Sequence, residues 1–276
     1  MTSSGTSTGL DFLALFAAVA ERFATGVAEV DLSASVPPCP GWTAYDVVAH
    51  LGNVHSWAAT VVETGRSAAT QNDEPRTHRS RVVADWYAGK AEDLYQVLRA
   101  TDPGRPCWNF AFGEGTAGFW RRRQLHETTI HSLDLDASAG RTMPIEPKVA
   151  ADGVDEVLTV FLRRMHGKGH PAALTAPLTL TCEDTGHRWT VSPRPVRSEP
   201  GQTVPSQPRG SATESAPDLT EGPPQVVERH HPMADQVSGP AHVLYRALWK
   251  RGPLDTLTRV GDTARIDAFL ESRLVP

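Results

Sequence analysis

The chain has 276 residues, 39% hydrophobic and 21% charged, with a formal charge of -5 and a pI near 6.1. This composition describes a soluble globular protein, and the missing basic footprint excludes nucleic acid as a partner. The apolar run FLALFAAVA is too short to cross a bilayer and lacks the basic flank and cleavage site of a secretory leader, so no membrane partner and a cytoplasmic location are expected.

Residues 1–8, MTSSGTST, are polar and read as a disordered N-terminus. From Leu10 to Val30, apolar residues recur at helical spacing and predict a first amphipathic helix. VPPCPGW then breaks the chain, and Thr43 with Asp46 forms a capping-box pattern that opens a second helix, ended at Gly65. Ser80 reads as the cap of a third helix, which the Asp-Pro-Gly at 102–104 stops. RPCWNFAFGEGTAG reads as a loop, and a fourth helix is predicted from about Phe119 to Ser138. Four helices with one apolar face each argue for a bundle.

A further helix is expected from Pro147, and LTLTCEDTGHRWTV, residues 178–191, alternates around an Asp-Thr-Gly turn as a β-hairpin does. Residues 193–235 hold nine of the 22 prolines and read as a linker or disordered insertion. Beyond it come a helix in GPAHVLYRALWKRG, a strand in TLTRV and a last helix in GDTARIDAFLESRL. The expected fold is α+β, mainly α. A bundle with its following helix covers 9–168, and a small α+β domain, interrupted by the insertion, covers 169–276.

Cys39, Cys107 and Cys182 include no CxxC pair and suggest free thiols in a reducing compartment. Cys39, between two prolines and with no base at recognisable spacing, reads as a packed structural thiol. The stretch LHETTIHSLDLD carries the chemistry. Glu127 and His131 are four residues apart and share one helical face, with Asp134 on the same stripe. His126 points about a quarter-turn away and reads as a flanking residue that lines a pocket. On the second helix, Val47, Val54, Trp57, Ala58 and Val61 fall within a quarter-turn of His50, which therefore looks into the bundle. His50 is either a hydrogen-bonded core histidine or the third ligand of a metal, since zinc needs at least three protein ligands. His55 sits at the edge of that arc, packing there or touching substrate. Asp134 is either an exposed carboxylate or the partner that fixes the His131 tautomer. Trp108 lies in the loop that could wall the pocket. Arg121, Arg122 and Arg123 read chiefly as the start of a solvated helix face, and are distant second candidates to hold negative charge on a substrate.

VPPCPGWTAYDVVAHLGNVHSW and FWRRRQLHETTIHSLDLDA resemble the two metal motifs of the mycothiol-dependent maleylpyruvate isomerase family. PKVAADGVDEVL and the stretch from SGPAHVLYRALWKRGPL to RIDAFL resemble its later helix and its small C-terminal domain. The resemblance implies a DinB-like four-helix bundle with His50, Glu127 and His131 as Zn2+ ligands. It places Arg251 near the active site as the catalytic arginine. It further implies a zinc-bound mycothiol thiolate that attacks a small electrophilic substrate, as an S-transferase or as a thiol-dependent cis–trans isomerase. A monomer or weak homodimer is expected. The alternative is a non-catalytic metal- or ligand-binding protein on the same bundle.

Overall fold

The structure is a computed structural model and describes residues 9–193, 222–227 and 235–276. The expected N-terminal disorder at 1–8, and the greater part of the 193–235 insertion, lie outside the described residues.

Four long helices make the first layer: α1 (Phe12–Glu29), α2 (Ala44–Thr64), α3 (Ser80–Ala100) and α4 (Gly118–Ser138). Side-chain caps open the first two. The Asp11 carboxylate accepts from Leu13 N and Ala14 N at the head of α1. Thr43 and Asp46 close the expected capping box on α2, and Gly65 ends it in the left-handed region at φ 70°. Ser80 departs from the expectation. It is the first residue of α3 rather than its cap, and its hydroxyl donates to Val30 O instead. The bundle core holds Phe16, Phe23, Val47, Leu51, Tyr87, Leu94 and Trp120.

The second layer starts with α5 (Pro147–Glu156), a π-helical turn at Val157–Phe161, and α6 (Leu162–Gly167). It continues with β1 (Leu178–Cys182), β2 (Arg188–Ser192), β3 (Gln225–Val227), β4 (Asp235–Gly239), α7 (Ala241–Leu248), β5 (Thr258–Val260) and α8 (Thr263–Glu271). The strands form one sheet in the order β3-β2-β1-β4-β5. β1 and β2 are the predicted antiparallel hairpin, while β1 and β4 run parallel. Gln225–Val227 lies inside the stretch read as an insertion but pairs with β2 as an edge strand. That is a correction. A three-residue strand that follows two prolines leaves too short an alternation to be read.

A second difference concerns the helical run from Pro147. The sequence groups it with the bundle, but Val154, Val157, Leu158 and Phe161 share one apolar cluster with the sheet and α7. The contact is close at Gly153, where any Cβ would overlap the Tyr245 ring. α4 lies between the layers and contributes to both clusters, Leu125 and Leu135 to the first and Ile130 and Leu133 to the second. No helix among the described residues is long and apolar enough to cross a membrane.

Candidate metal and substrate site

Because α4 is covered on two sides, its polar residues must find partners in the protein. The three arginines show this. Arg121 donates to the carbonyls of Leu98 and Thr101, and Arg122 pairs with Asp152 at 2.7 Å and Asp155 at 2.8 Å. Arg123 is buried between Glu127, at 2.9 Å, and the equally buried Glu156. None of the three forms the solvated helix face read from the sequence.

His50, from the middle of α2, meets Glu127 and His131, one turn apart on α4. Their ligand-capable atoms all lie within 4.8 Å of one another. Nε2 of His50 and Nε2 of His131 each stand 3.4 Å from Oε1 of Glu127. Two atoms bound at about 2.0–2.1 Å to a tetrahedral zinc are separated by about 3.3–3.4 Å, so this spacing fits a cation. The donor set of two imidazoles and one carboxylate suits zinc and leaves a fourth position for an external ligand.

The surrounding groups set the orientation of His131 and Glu127. Asp134 Oδ2 accepts from Nδ1 of His131 at 3.0 Å, which leaves Nε2 facing Glu127. Oε2 of Glu127 accepts from Arg123, which leaves Oε1 for the histidines. Asp134 is held in turn by Arg251 through Nε at 2.9 Å and Nη2 at 3.1 Å. Arg251 reaches the site because α7 ends at Leu248 and Lys250 adopts φ 60°, a left-handed turn rare outside glycine. Of the two readings of Asp134, the buried partner of His131 is therefore the observed one.

Electrostatics follow from this chain of contacts. Burial opposes ionisation of Glu127, but the Arg123 charge and the hydrogen bonds of both histidines hold it well below the usual carboxylate range. Burial likewise opposes the charge on Asp134, and His131 with Arg251 outweighs it, giving about 2. For His131, burial disfavours the proton, yet its bonds to Asp134 and Glu127 raise it to about 9 in the metal-free site. A cation must displace that proton. Zinc affinity is therefore expected to climb about tenfold per pH unit as the pH rises from 7 towards 9, then level off. A competition titration with a chelator across that range checks it, and a flat profile would count against the assignment of His131. In the same titration, Asp134→Asn is expected to weaken zinc by roughly 10–100-fold, the usual cost of losing a carboxylate behind a ligating histidine.

The ligands open on a cavity of about 510 Å3 walled by Trp42, Trp57, Phe110, Phe161 and Trp249, with Arg123, Gln124, Arg164 and Arg251 at its polar points. His50, Glu127, His131 and Arg251 all line it, as the sequence implies. Three expected pocket residues do not. His55 is buried between Phe16 and Tyr87 and bonds Thr128 at 3.1 Å, with burial pushing its pKa down to about 3. His126 faces the second layer, 2.7 Å from Asp152 and 3.3 Å from the Tyr245 hydroxyl. Trp108 meets Trp57 edge-to-face at 6.3 Å, and its loop presents Phe110 to the cavity instead. A quarter-turn on a helix, or two positions in a loop, was enough to redirect these side chains.

Cys39 does reach the cavity wall, with its sulfur 3.1 Å from Nη2 of Arg251. Burial and the Asp134 charge push its thiol up to about 11, so it is no ready nucleophile. Of the three arginines offered as second candidates for the substrate's charge, only Arg123 lines the cavity, and the sequence reading missed Gln124 and Arg164. The only trace of Arg164 in the sequence was its place in FLRRM, three residues after Phe161 on the same helical face.

The model of the mycothiol maleylpyruvate isomerase N-terminal domain matches residues 13–136. The matched segment spans the four bundle helices, and this match is confined to that part of the chain. It contains all of α2 and most of α4, so the three converging side chains all lie within the matched stretch. Two crystal structures of a mycothiol-dependent maleylpyruvate isomerase, one of them a mutant, are similar over 94% of this chain and 95% of theirs. Their TM-scores are 0.57 and 0.56, at 14% and 13% identity. The likeness extends through the second layer and establishes the α+β, mainly α fold. None of the curated proteins matches the sequence.

Proposed function

We propose that this protein is a zinc-dependent enzyme that uses mycothiol to act on a small conjugated acid, by cis–trans isomerisation of the maleylpyruvate type. The observation that carries the proposal is the convergence of His50, Glu127 and His131 on one point in the wall of an aromatic cavity. The match of the segment that holds those residues to the isomerase N-terminal domain, and the similar isomerase structures, support the choice of thiol and substrate.

A cation held by the three residues lowers the pKa of a bound thiol from its ordinary value of about 8.5. Isomerisation then needs no net redox change. The sulfur adds to one end of the conjugated double bond, the resulting single bond rotates, and elimination restores the double bond and frees the thiol. The chain's own groups prepare this step. Asp134 fixes the His131 tautomer, Arg123 orients Glu127, and Arg251 locks Asp134 through two hydrogen bonds. Arg251 is thus a positioning residue in this arrangement, with its fork committed to Asp134 rather than free for substrate. The tryptophan and phenylalanine walls exclude water from the adduct.

S-transfer is the finer alternative, in which the adduct persists or the thiol displaces a leaving group. Incubation of the zinc-loaded protein with mycothiol and maleylpyruvate, followed by chromatography and mass spectrometry, distinguishes the outcomes. Thiol-dependent conversion to the trans isomer is expected. A stable sulfur adduct would assign transferase chemistry, and no change with maleylpyruvate or a panel of electrophiles would favour a binding protein.

A further inference from the structure

We propose that Arg164 is the anion-binding residue of the cavity and takes a carboxylate of the electrophilic substrate through its Nε–Nη2 edge; this rests on the reading of the cavity as a substrate site. The three arginines lining the cavity differ in what holds them. Arg123 is spent on Glu127 and Glu156, and Arg251 on Asp134. Arg164, on α6, pairs with no carboxylate among the described residues. Its Nη1 donates to Phe110 O at 2.9 Å, and its guanidinium lies 4.3 Å from the Phe110 ring centre.

That contact fixes the plane of the guanidinium and uses one corner of it. Nε is buried without a partner, and Nη2 makes no hydrogen bond among the described residues. These two atoms form the side of the guanidinium that receives a carboxylate through two parallel bonds. A buried donor without a partner is costly, so its persistence at a cavity wall points to a ligand that satisfies it. Arg164 has company. Gln124 and Trp249, which also line the cavity, carry buried polar atoms with no partner, Oε1 and Nε1 respectively. Arg123 Nε is unpartnered too, but the other two nitrogens of that guanidinium are held by Glu127 and Glu156, so among these cavity-lining groups Arg164 alone brings a charge with no carboxylate partner. Burial and the nearby Arg123 charge make that cation less comfortable than in water, with Glu127 offsetting them only in part. An entering anion relieves this.

The placement has a backbone cause. The π-helical turn at Val157–Phe161 adds a residue to the helical run just ahead of α6. It shifts the following face so that Phe161 and Arg164 both reach the cavity, and such turns recur at functional sites.

The probes are maleate and its neutral isostere maleamide, titrated into zinc-loaded protein without thiol, with binding read by tryptophan fluorescence. Arg164→Met is expected to weaken maleate at least tenfold while leaving maleamide within a factor of two, at unchanged zinc content. Arg164→Lys, which keeps the charge but not the fork, should fall between and guards against a folding defect in the first variant. An equal loss for both probes would mean that Arg164 only props the Phe110 loop and would overturn the proposal. So would unchanged maleate affinity in Arg164→Met, or a wild type that binds maleate no better than maleamide. Failure of the isomerase reading shows separately, as a wild type that discriminates maleate through Arg164 yet turns over no substrate with mycothiol.

Discussion

His131→Ala is expected to lose zinc and turnover together. The residual pair of His50 and Glu127 falls below the three protein ligands that a catalytic zinc requires. The loss in affinity should exceed the roughly 100-fold upper range for residues behind the ligands, because a donor is removed rather than misdirected. Removing His131 also strands Asp134, which keeps only Arg251 as a strong partner, and frees Oε1 of Glu127 from one of its two imidazoles. His50→Ala is expected to match it on metal content, but with a smaller effect on stability, since the His50 side chain is 38% exposed and that of His131 only 10%. Elemental analysis of the purified variants, with thiol-dependent conversion measured on the same samples, checks both. Full zinc content in either variant would remove that histidine from the ligand set.

Arg123→Leu carries the largest expected cost in stability. The side chains of Arg123 and Glu156 are 2% and 1% exposed, and Arg123 also bonds Glu127. Its guanidinium packs 5.0 Å from the Phe161 ring centre and 5.5 Å from that of Trp249. Removing one partner from a buried pair typically costs about 3–5 kcal/mol, a large part of the 5–15 kcal/mol that holds an ordinary domain together. Urea unfolding of the metal-free protein measures it. The deficit has a pH signature. Burial already pushes the Glu156 carboxyl up against the opposing Arg123 charge, so without Arg123 it protonates more readily and the deficit shrinks as the pH falls. Arg123→Leu combined with Glu156→Leu should recover most of the loss, because no bare charge then remains at Glu156. A single variant within about 1 kcal/mol of wild type would show that the pair is solvated and the two layers are less closely joined than described.

The bundle was legible because its signals are local. Apolar spacing, the Thr43–Asp46 capping box and the glycine stop at Gly65 each act within a few residues, and each recurs in the structure. The convergence of the three candidate ligands was legible for a related reason. Glu127 and His131 are bound together by the helical repeat, and the apolar arc around His50 fixes the direction in which that histidine looks. The misreadings have the opposite cause. α4 reads as an amphipathic bundle helix with a solvated arginine run, yet the partners of that run are Asp152, Asp155 and Glu156, about thirty residues on in a different layer. No pattern within α4 announces them. Arg164 was missed because the turn that aims it departs from the 3.6-residue repeat on which helical-face arguments rest. His55 and His126 failed on angle. Each lies next to the active stripe in sequence, and each is claimed by a polar partner on the side away from the cavity.

X-ray absorption at the zinc edge tests the central claim most directly. One zinc per chain is predicted, with two imidazole nitrogens and one carboxylate oxygen in its coordination sphere, and with one imidazole lost in His50→Ala and also in His131→Ala wherever residual metal can be measured. A zinc-free protein that nevertheless carries out thiol-dependent turnover, or a zinc whose coordination is the same in both variants as in the wild type, would contradict it.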